Sequence, residues 1–330
     1  MKRSLANRPL HPVGLGCMNM SWAYAKPPPR EYAERLLNRA LDIGCDHLDT
    51  ARIYGDGENE ALIGETLKGR RKEFFLASKT GIKVDGPRRS VDCSPAHIEA
   101  DIEASLASLQ TDFIDLYYMH RFDPKVPIAD CVGVLARAIE AGKIGAYGVS
   151  EWSAAHIREA YAVHPMAAVQ TEYSLWTRNV ELAVLDTCRE LGVALVAFSS
   201  TGRGAFGGKI RDPSKFEASD LRTRMPRFSP DNWPHNLALI DRFNTLAREA
   251  GVAPAQLANR WVLEQDPIIH VIPGTTSIEH LEQNHAAASV EIAPEVLEHA
   301  GEIINHQTVW GHRYHDAIRG TIDTEEFEPA

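Results

Sequence analysis

The stretch HLDTARIYG, residues 47–55, runs from a short extended segment through Asp49 at its end into a loop that carries Tyr54. A short strand that delivers a polar residue at its carboxyl end is how parallel α/β sheets present a site. The pattern repeats on either side. ASKTG (77–81) puts Lys79 at the end of the next strand, and FIDLYYMHR (113–121) delivers His120 from the one after. Strand candidates rich in branched residues lie at 14–18, 46–49, 74–78, 114–119, 144–149, 168–170, 193–198 and 269–272. Amphipathic stretches at 32–43, 59–68, 95–109, 128–141, 154–163, 180–191, 254–264 and 278–287 alternate with them, several opening with a capping side chain or Pro in the first turn. Eight repeats of this unit predict a (β/α)8 TIM barrel. A doubly wound sheet shares the same string of elements and is the structural rival.

Two segments stand outside the repeat. Residues 199–234, after the seventh strand, are rich in Gly, Pro, Arg and Ser and too long for an ordinary connection, which marks a lid or binding loop. From about residue 291 the chain continues as a C-terminal helical extension and a polar tail containing HQTVWGHRYHD (306–316). No linker or composition shift divides residues 1–330, so a single domain is expected.

The 330 residues are 44% hydrophobic and 24% charged, an ordinary globular composition that excludes a disordered or fibrous chain. The 35 basic and 45 acidic residues leave a net charge of −10, which argues against nucleic acid as a partner. Five scattered cysteines with no C-x-x-C pair suggest neither a disulfide framework nor a zinc ribbon. No apolar run reaches the length of a signal peptide or a membrane span, so the expectation is a soluble cytoplasmic protein with no membrane partner. Oligomeric state is not readable from the sequence.

Several signals have ordinary explanations. GRGAFG (202–207) fits G-x-G-x-x-G after the strand VALVAF, but it sits late in the chain and precedes a turn-rich segment, so it does not make a dinucleotide-binding Rossmann unit. His306, His312 and His315 cluster in the tail without the spacing of a zinc shell; they read as solvated histidines, and no metal is expected. Trp22, Trp152 and Trp176 follow strand ends, where a barrel builds its active-site loops. Asp49, Lys79 and His120 end consecutive strands and Tyr54 follows closely, so all of them converge on one mouth if the barrel forms.

GLGCMNMS, LDTARIYGDGENEALIGETLKG, ASKTG, IDLYYMHR, GVSEW, VQTEYSLW, AFSSTGRG and IPGTTSIEHLEQN occur in that order along the chain. Together they resemble the aldo-keto reductase superfamily over nearly the whole length. The resemblance implies a barrel that binds a nicotinamide cofactor without a Rossmann domain and interconverts carbonyls and alcohols. It implies Tyr54 as proton donor, with Lys79, Asp49 and His120 completing a tetrad. A Lys79 cation is expected to lower the Tyr54 pKa, Asp49 to hold that ammonium, and His120 to orient the carbonyl oxygen or share the proton. The superfamily also contains redox-sensing, regulatory barrels with little turnover, and these form the alternative reading.

By the same resemblance Ser150 and Gln170 hold the nicotinamide carboxamide, with Glu151 where many members have Asn. Phe198 stands where many carry a stacking Tyr. Ser199, Thr201 and Gly202 lie along the pyrophosphate, while Gly274, Thr275, Ser277, His280, Gln283 and Asn284 hold the adenosine end. NADP(H) is the favoured cofactor, with weaker discrimination against NAD(H) than is usual, because Ser277 and His280 occupy positions where a Lys or Arg usually binds the 2'-phosphate. Lys209 or Arg203 could supply that cation instead. If His280 carries the preference, it should be pH-dependent. Trp22, Tyr24, Trp152 and Trp176 are expected to form an aromatic substrate pocket for an uncharged or weakly polar carbonyl or alcohol, with Arg121 and Arg178 as residues that would instead favour an anion.

Overall fold

Runs of two to six residues form the strands of the computed structural model, which describes residues 2–24, 26–86 and 88–327. In chain order they are β1 (Leu15–Gly16), β2 (His47–Asp49), β3 (Phe75–Thr80), β4 (Leu116–Met119), β5 (Tyr147–Ser150), β6 (Ala168–Glu172), β7 (Ala194–Phe198) and β8 (Ile269–Val271). Each pairs with the next in parallel, and the isolated bridges Val13 to Val271 and Gly16 to Gly274 close the 8-stranded sheet on itself. Gly16 permits that seam, since a Cβ there would lie 2.7 Å from the carbonyl oxygen of Ile272. The (β/α)8 barrel expected from the sequence is the fold observed.

The connecting helices are α1 (Arg30–Asp42), α2 (Glu58–Leu67), α3 (Pro95–Leu109), α4 (Ile128–Glu140), α5 (Ala154–Val163), α6 (Val184–Leu191), α7 (Trp233–Glu249), α8 (Pro254–Glu264), α9 (Ile278–Ala286) and α10 (Pro294–Ile303). Their apolar stripes cover the outside of the barrel: α1 buries Ala33, Leu36, Leu37 and Ala40, and α4 buries Val132, Leu135 and Ala138. Helix α7 is absent from the sequence reading, although Pro in its first turn and buried Leu239, Ile240, Phe243 and Ala247 carry the helical spacing. Two short hairpins, Arg3–Leu5 with Arg8–Leu10 and Ile82–Asp85 with Arg88–Val91, were also unforeseen.

Side chains of alternate strand residues point to one face, and inside the barrel this produces vertical columns. Phe75, Ala77 and then Lys79 rise along β3; Leu116, Tyr118 and then His120 rise along β4. The lower members join Ala168, Ala194, Val196 and Ile272 in an apolar layer that Leu5 and Leu10 of the first hairpin seal from below. The upper members are polar. One sequence period therefore supplies both an insulating floor and a functional rim.

The tail corrects an expectation. It folds back over the barrel mouth: Asp323 accepts from the backbone N–H of Ser153 at 2.7 Å, Asn179 donates to the carbonyl of Glu325 at 2.9 Å, and His306 stacks on Phe327 with ring centres 4.0 Å apart. His312 lies 2.8 Å from a Glu326 carboxylate oxygen and His315 lines the central cavity, so of the three only the exposed His306 fits the reading as a solvated histidine.

Candidate active site

At the carboxyl ends of the strands lies a cavity of about 490 Å³, in the range of small-molecule sites. Asp49, Tyr54 and His120 line it, and Lys79 stands directly behind them, 1% exposed. The Lys79 ammonium is hydrogen-bonded to Asp49 Oδ1 and donates to the Thr50 carbonyl at 2.8 Å. Gln170 Nε2 donates to the other Asp49 oxygen at 2.8 Å, so this buried carboxylate is held on both sides. Lys79 Nζ is 5.3 Å from the centre of the Tyr54 ring, and the Tyr54 and His120 rings meet edge to face at 6.0 Å.

Burial sets the protonation states. It pushes the Lys79 ammonium down and the Asp49 carboxyl up, and the contact between the two opposes both shifts. Burial, then the charges of Arg121 and Lys79, hold the His120 imidazole well below its ordinary range, so it is neutral at physiological pH. The expected depression of the Tyr54 pKa is not observed. Burial raises it well above the usual phenol value, Asp49 adds to the rise, and the cation that opposes the rise most is Arg121.

A family model for the aldo/keto reductase family matches residues 12–305. The chain belongs to the aldo/keto reductase family. It is 39% identical over 308 residues to a probable aldo-keto reductase of Glycine max, covering 93% of this chain and 89% of that one. It is similar to the solved glycerol dehydrogenase of Gluconobacter oxydans, with a TM-score of 0.83, 26% identity and coverage of 100% and 98% of the two chains. An aldo/keto reductase of Klebsiella pneumoniae, solved with NADP and acetate, shares the fold with a TM-score of 0.72, 24% identity and coverage of 96% and 99%. Membership makes the protein an NAD(P)H-dependent oxidoreductase.

Within this aldo/keto reductase the cavity brings together Ser150, Gln170, Phe198, Ser199, Thr201, Gly274, Thr275 and His280 of the cofactor residues read from sequence, and Trp22 and Tyr24 of the substrate residues. Trp152 and Trp176 do not line it. They are 1% and 2% exposed and pack into the core between barrel and helices, Trp152 against Phe122 and Trp176 against Phe206 and Phe228. Arg178 is also elsewhere, bonded to the carbonyls of Leu175, Gly301 and Ile304.

Among the remaining cofactor residues, Ser277 caps α9, Gln283 bonds Glu279, and Asn284 accepts from Asn259, whose own oxygen accepts from Ser200. These side chains do not line the cavity. Gly202 also lies outside the lining; it turns the chain at φ 60°. Lys209 Nζ is 2.9 Å from His280 Nε2 at the rim. Burial and then Lys209 lower the His280 pKa.

Glu151 is turned away from the cavity. Its carboxylate receives Arg313 Nη2 at 2.7 Å, Thr324 Oγ1 at 3.2 Å and the Glu172 backbone N–H at 2.8 Å. Burial alone would raise its pKa, but Arg313 and then Arg121 reverse the effect and hold it below the ordinary carboxylate value. Glu172 in turn pairs with Arg203 at 2.6 Å, and the Arg203 guanidinium lies over the Tyr314 ring. Glu151, Ser199 and Arg203, all past strand ends, have positive φ without being glycine, the kind of strain that concentrates at sites. Tyr314, His315 and Ile318 of the tail complete the lining, and no periodicity in the sequence announced them.

Proposed function

We propose that this aldo/keto reductase interconverts a carbonyl compound and an alcohol with NADP(H), Tyr54 serving as the proton donor to the carbonyl oxygen and, in reverse, as the base. The observation that carries the reading is the convergence of Tyr54, His120 and the Lys79–Asp49 pair on one cavity whose wall also contains Ser150, Gln170 and Phe198. The cavity suits a nicotinamide cofactor. Phe198 offers a half-buried aromatic ring, Gln170 keeps its amide oxygen for a carboxamide while its N–H bonds Asp49, and Ser199 has a positive φ at the strand end where a pyrophosphate would lie.

The cofactor, when bound, supplies or accepts the hydride. The protein's residues handle the charge that develops on oxygen. A phenol with a raised pKa stays protonated through neutral pH and is available as an acid. Arg121, and Lys79 fixed by Asp49 and Thr50 at 5.3 Å from the ring centre, are the cations placed to stabilise the phenolate left behind. A neutral His120 adds a hydrogen bond at the carbonyl oxygen without bringing a second proton of its own into the titration. Burial of the pair keeps bulk water from screening these charges.

Tyr54→Phe tests the reading. Turnover of an aldehyde panel with NADPH should fall by about 100-fold or more while NADPH affinity stays within a few-fold, because the hydroxyl acts on the developing alkoxide. Turnover retained in the variant would remove Tyr54 from the mechanism. A wild-type protein that binds NADPH and reduces nothing in the panel would favour a regulatory barrel.

A further inference from the structure

The cavity wall is cationic beyond the needs of the tetrad. Its lining contains Arg121, Arg203, Arg222, Arg224 and Lys26 against the single carboxylate Asp49, which Lys79 already neutralises. Some of these cations are matched from behind: Arg203 by Glu172 at 2.6 Å and Arg222 by Asp220 at 2.6 Å. Arg224 and Lys26 have no carboxylate partner among the described residues but are exposed. Arg121 is the unmatched cation that is not. It follows His120 directly, is half-buried, and donates one Nη1 hydrogen bond, at 2.7 Å, to the carbonyl of His120. Among the described residues no carboxylate lies within ion-pair distance of it. The nearby Glu151 is already engaged by Arg313. The influence of Arg121 on Tyr54, His120 and Tyr314 places its charge at the reacting end of the cavity.

A half-buried guanidinium without a counter-ion is costly, and its planar edge matches the two oxygens of a carboxylate. With Trp152 and Trp176 withdrawn into the core, the aromatic pocket that would have favoured a neutral substrate loses half its members. We propose that Arg121 is a specificity residue and that the substrate is a carbonyl compound bearing a carboxylate, the anion seated on the Nη2 edge of Arg121 while the carbonyl oxygen faces Tyr54 and His120. This rests on the carbonyl-reducing reading above. A carboxylate is favoured over a phosphate because one guanidinium with one hydrogen bond already spent matches a single charge, Arg203 is committed to Glu172, and the remaining cations, Arg224 and Lys26, are exposed to solvent.

The test compares 3- and 4-carboxybenzaldehyde with their methyl esters, which keep size and lose only the charge. In wild type the ratio of kcat/KM for acid over ester should exceed that of Arg121→Gln by about ten- to a hundred-fold, the size of a charge-assisted hydrogen bond, with most of the change in KM for the acid. Arg121→Lys, which keeps a point charge without the fork, should fall between the two and guards against a Gln variant that fails to fold. A ratio that is the same in wild type and both variants overturns the proposal. The same comparison by binding, using 3-(hydroxymethyl)benzoate and its methyl ester with NADP-loaded protein and tryptophan fluorescence, reads the preference without turnover. Absence of turnover in the wild type would therefore count against the carbonyl-reducing reading, whereas equal binding of acid and ester would overturn the anion assignment alone.

Discussion

Lys209 and His280 show how one contact changes a prediction. A histidine alone at the rim would lend charge to a phosphate only below about pH 6.5. With Lys209 Nζ at 2.9 Å from Nε2, the imidazole acts as acceptor and its protonation is disfavoured. Arg203 is tied to Glu172 and to the Tyr24 hydroxyl, so it is not the alternative cation. The NADPH over NADH ratio of kcat/KM should accordingly stay flat between about pH 6 and 8.5, and Lys209→Met should lower it by about ten- to a hundred-fold. A ratio that declines steeply with pH in wild type would return the role to His280. Single positions such as Asp49, Lys79 and His120 could be read from the sequence because they end strands. The direction of the Tyr54 shift could not, since it depends on how deeply the ring is buried and on which charge, Arg121 or Lys79, faces it.

The C-terminal strap is the element that the sequence concealed. Its anchors join residues far apart in the chain, Arg313 to Glu151 and Asp323 to His156 at 2.7 Å, and no local pattern encodes such pairings. Strands and outer helices were readable because burial on one face imposes a period. Trp152 and Trp176 misled for the opposite reason: a residue just past a strand end can turn into the mouth or outward under a helix, and the sequence does not distinguish the two. Arg313→Met should be among the most damaging single changes in the strap, since it leaves Glu151 buried without its cation. A loss of about 3–5 kcal/mol is expected, measured by chemical denaturation, together with faster proteolysis after residue 310 and a raised KM as Tyr314 and His315 leave the cavity wall. Unchanged proteolysis in a folded variant would show that the other anchors suffice.

Across the molecule, the barrel interior carries an acid sensitivity unrelated to catalysis. Burial lowers the pKa of His47 to about 4 and of His270 to about 3, and both His47 nitrogens lack partners among the described residues. Unfolded imidazoles bind protons near pH 6.5, so between that value and the folded ones the unfolded chain holds more protons. Stability is full above about pH 6.5 and falls as the solution is acidified, by on the order of a few kcal/mol at pH 4.5. Thermal melts should show Tm dropping over this interval, and His47→Met should flatten the slope; an identical slope in the variant would assign the loss to other groups. The sealed barrel floor has a kinetic consequence as well. With Leu5, Leu10, Phe75 and Leu116 blocking the lower end, both ligands must use one doorway. Ser150 and Gln170, at 1% and 3% exposure, lie deep in it, and the half-buried Trp22 and Tyr24 lie nearer the surface. On the proposed reading, in which Ser150 and Gln170 hold the cofactor, that ligand arrives first and departs last, and steady-state kinetics should follow a compulsory order with cofactor release as the closing step.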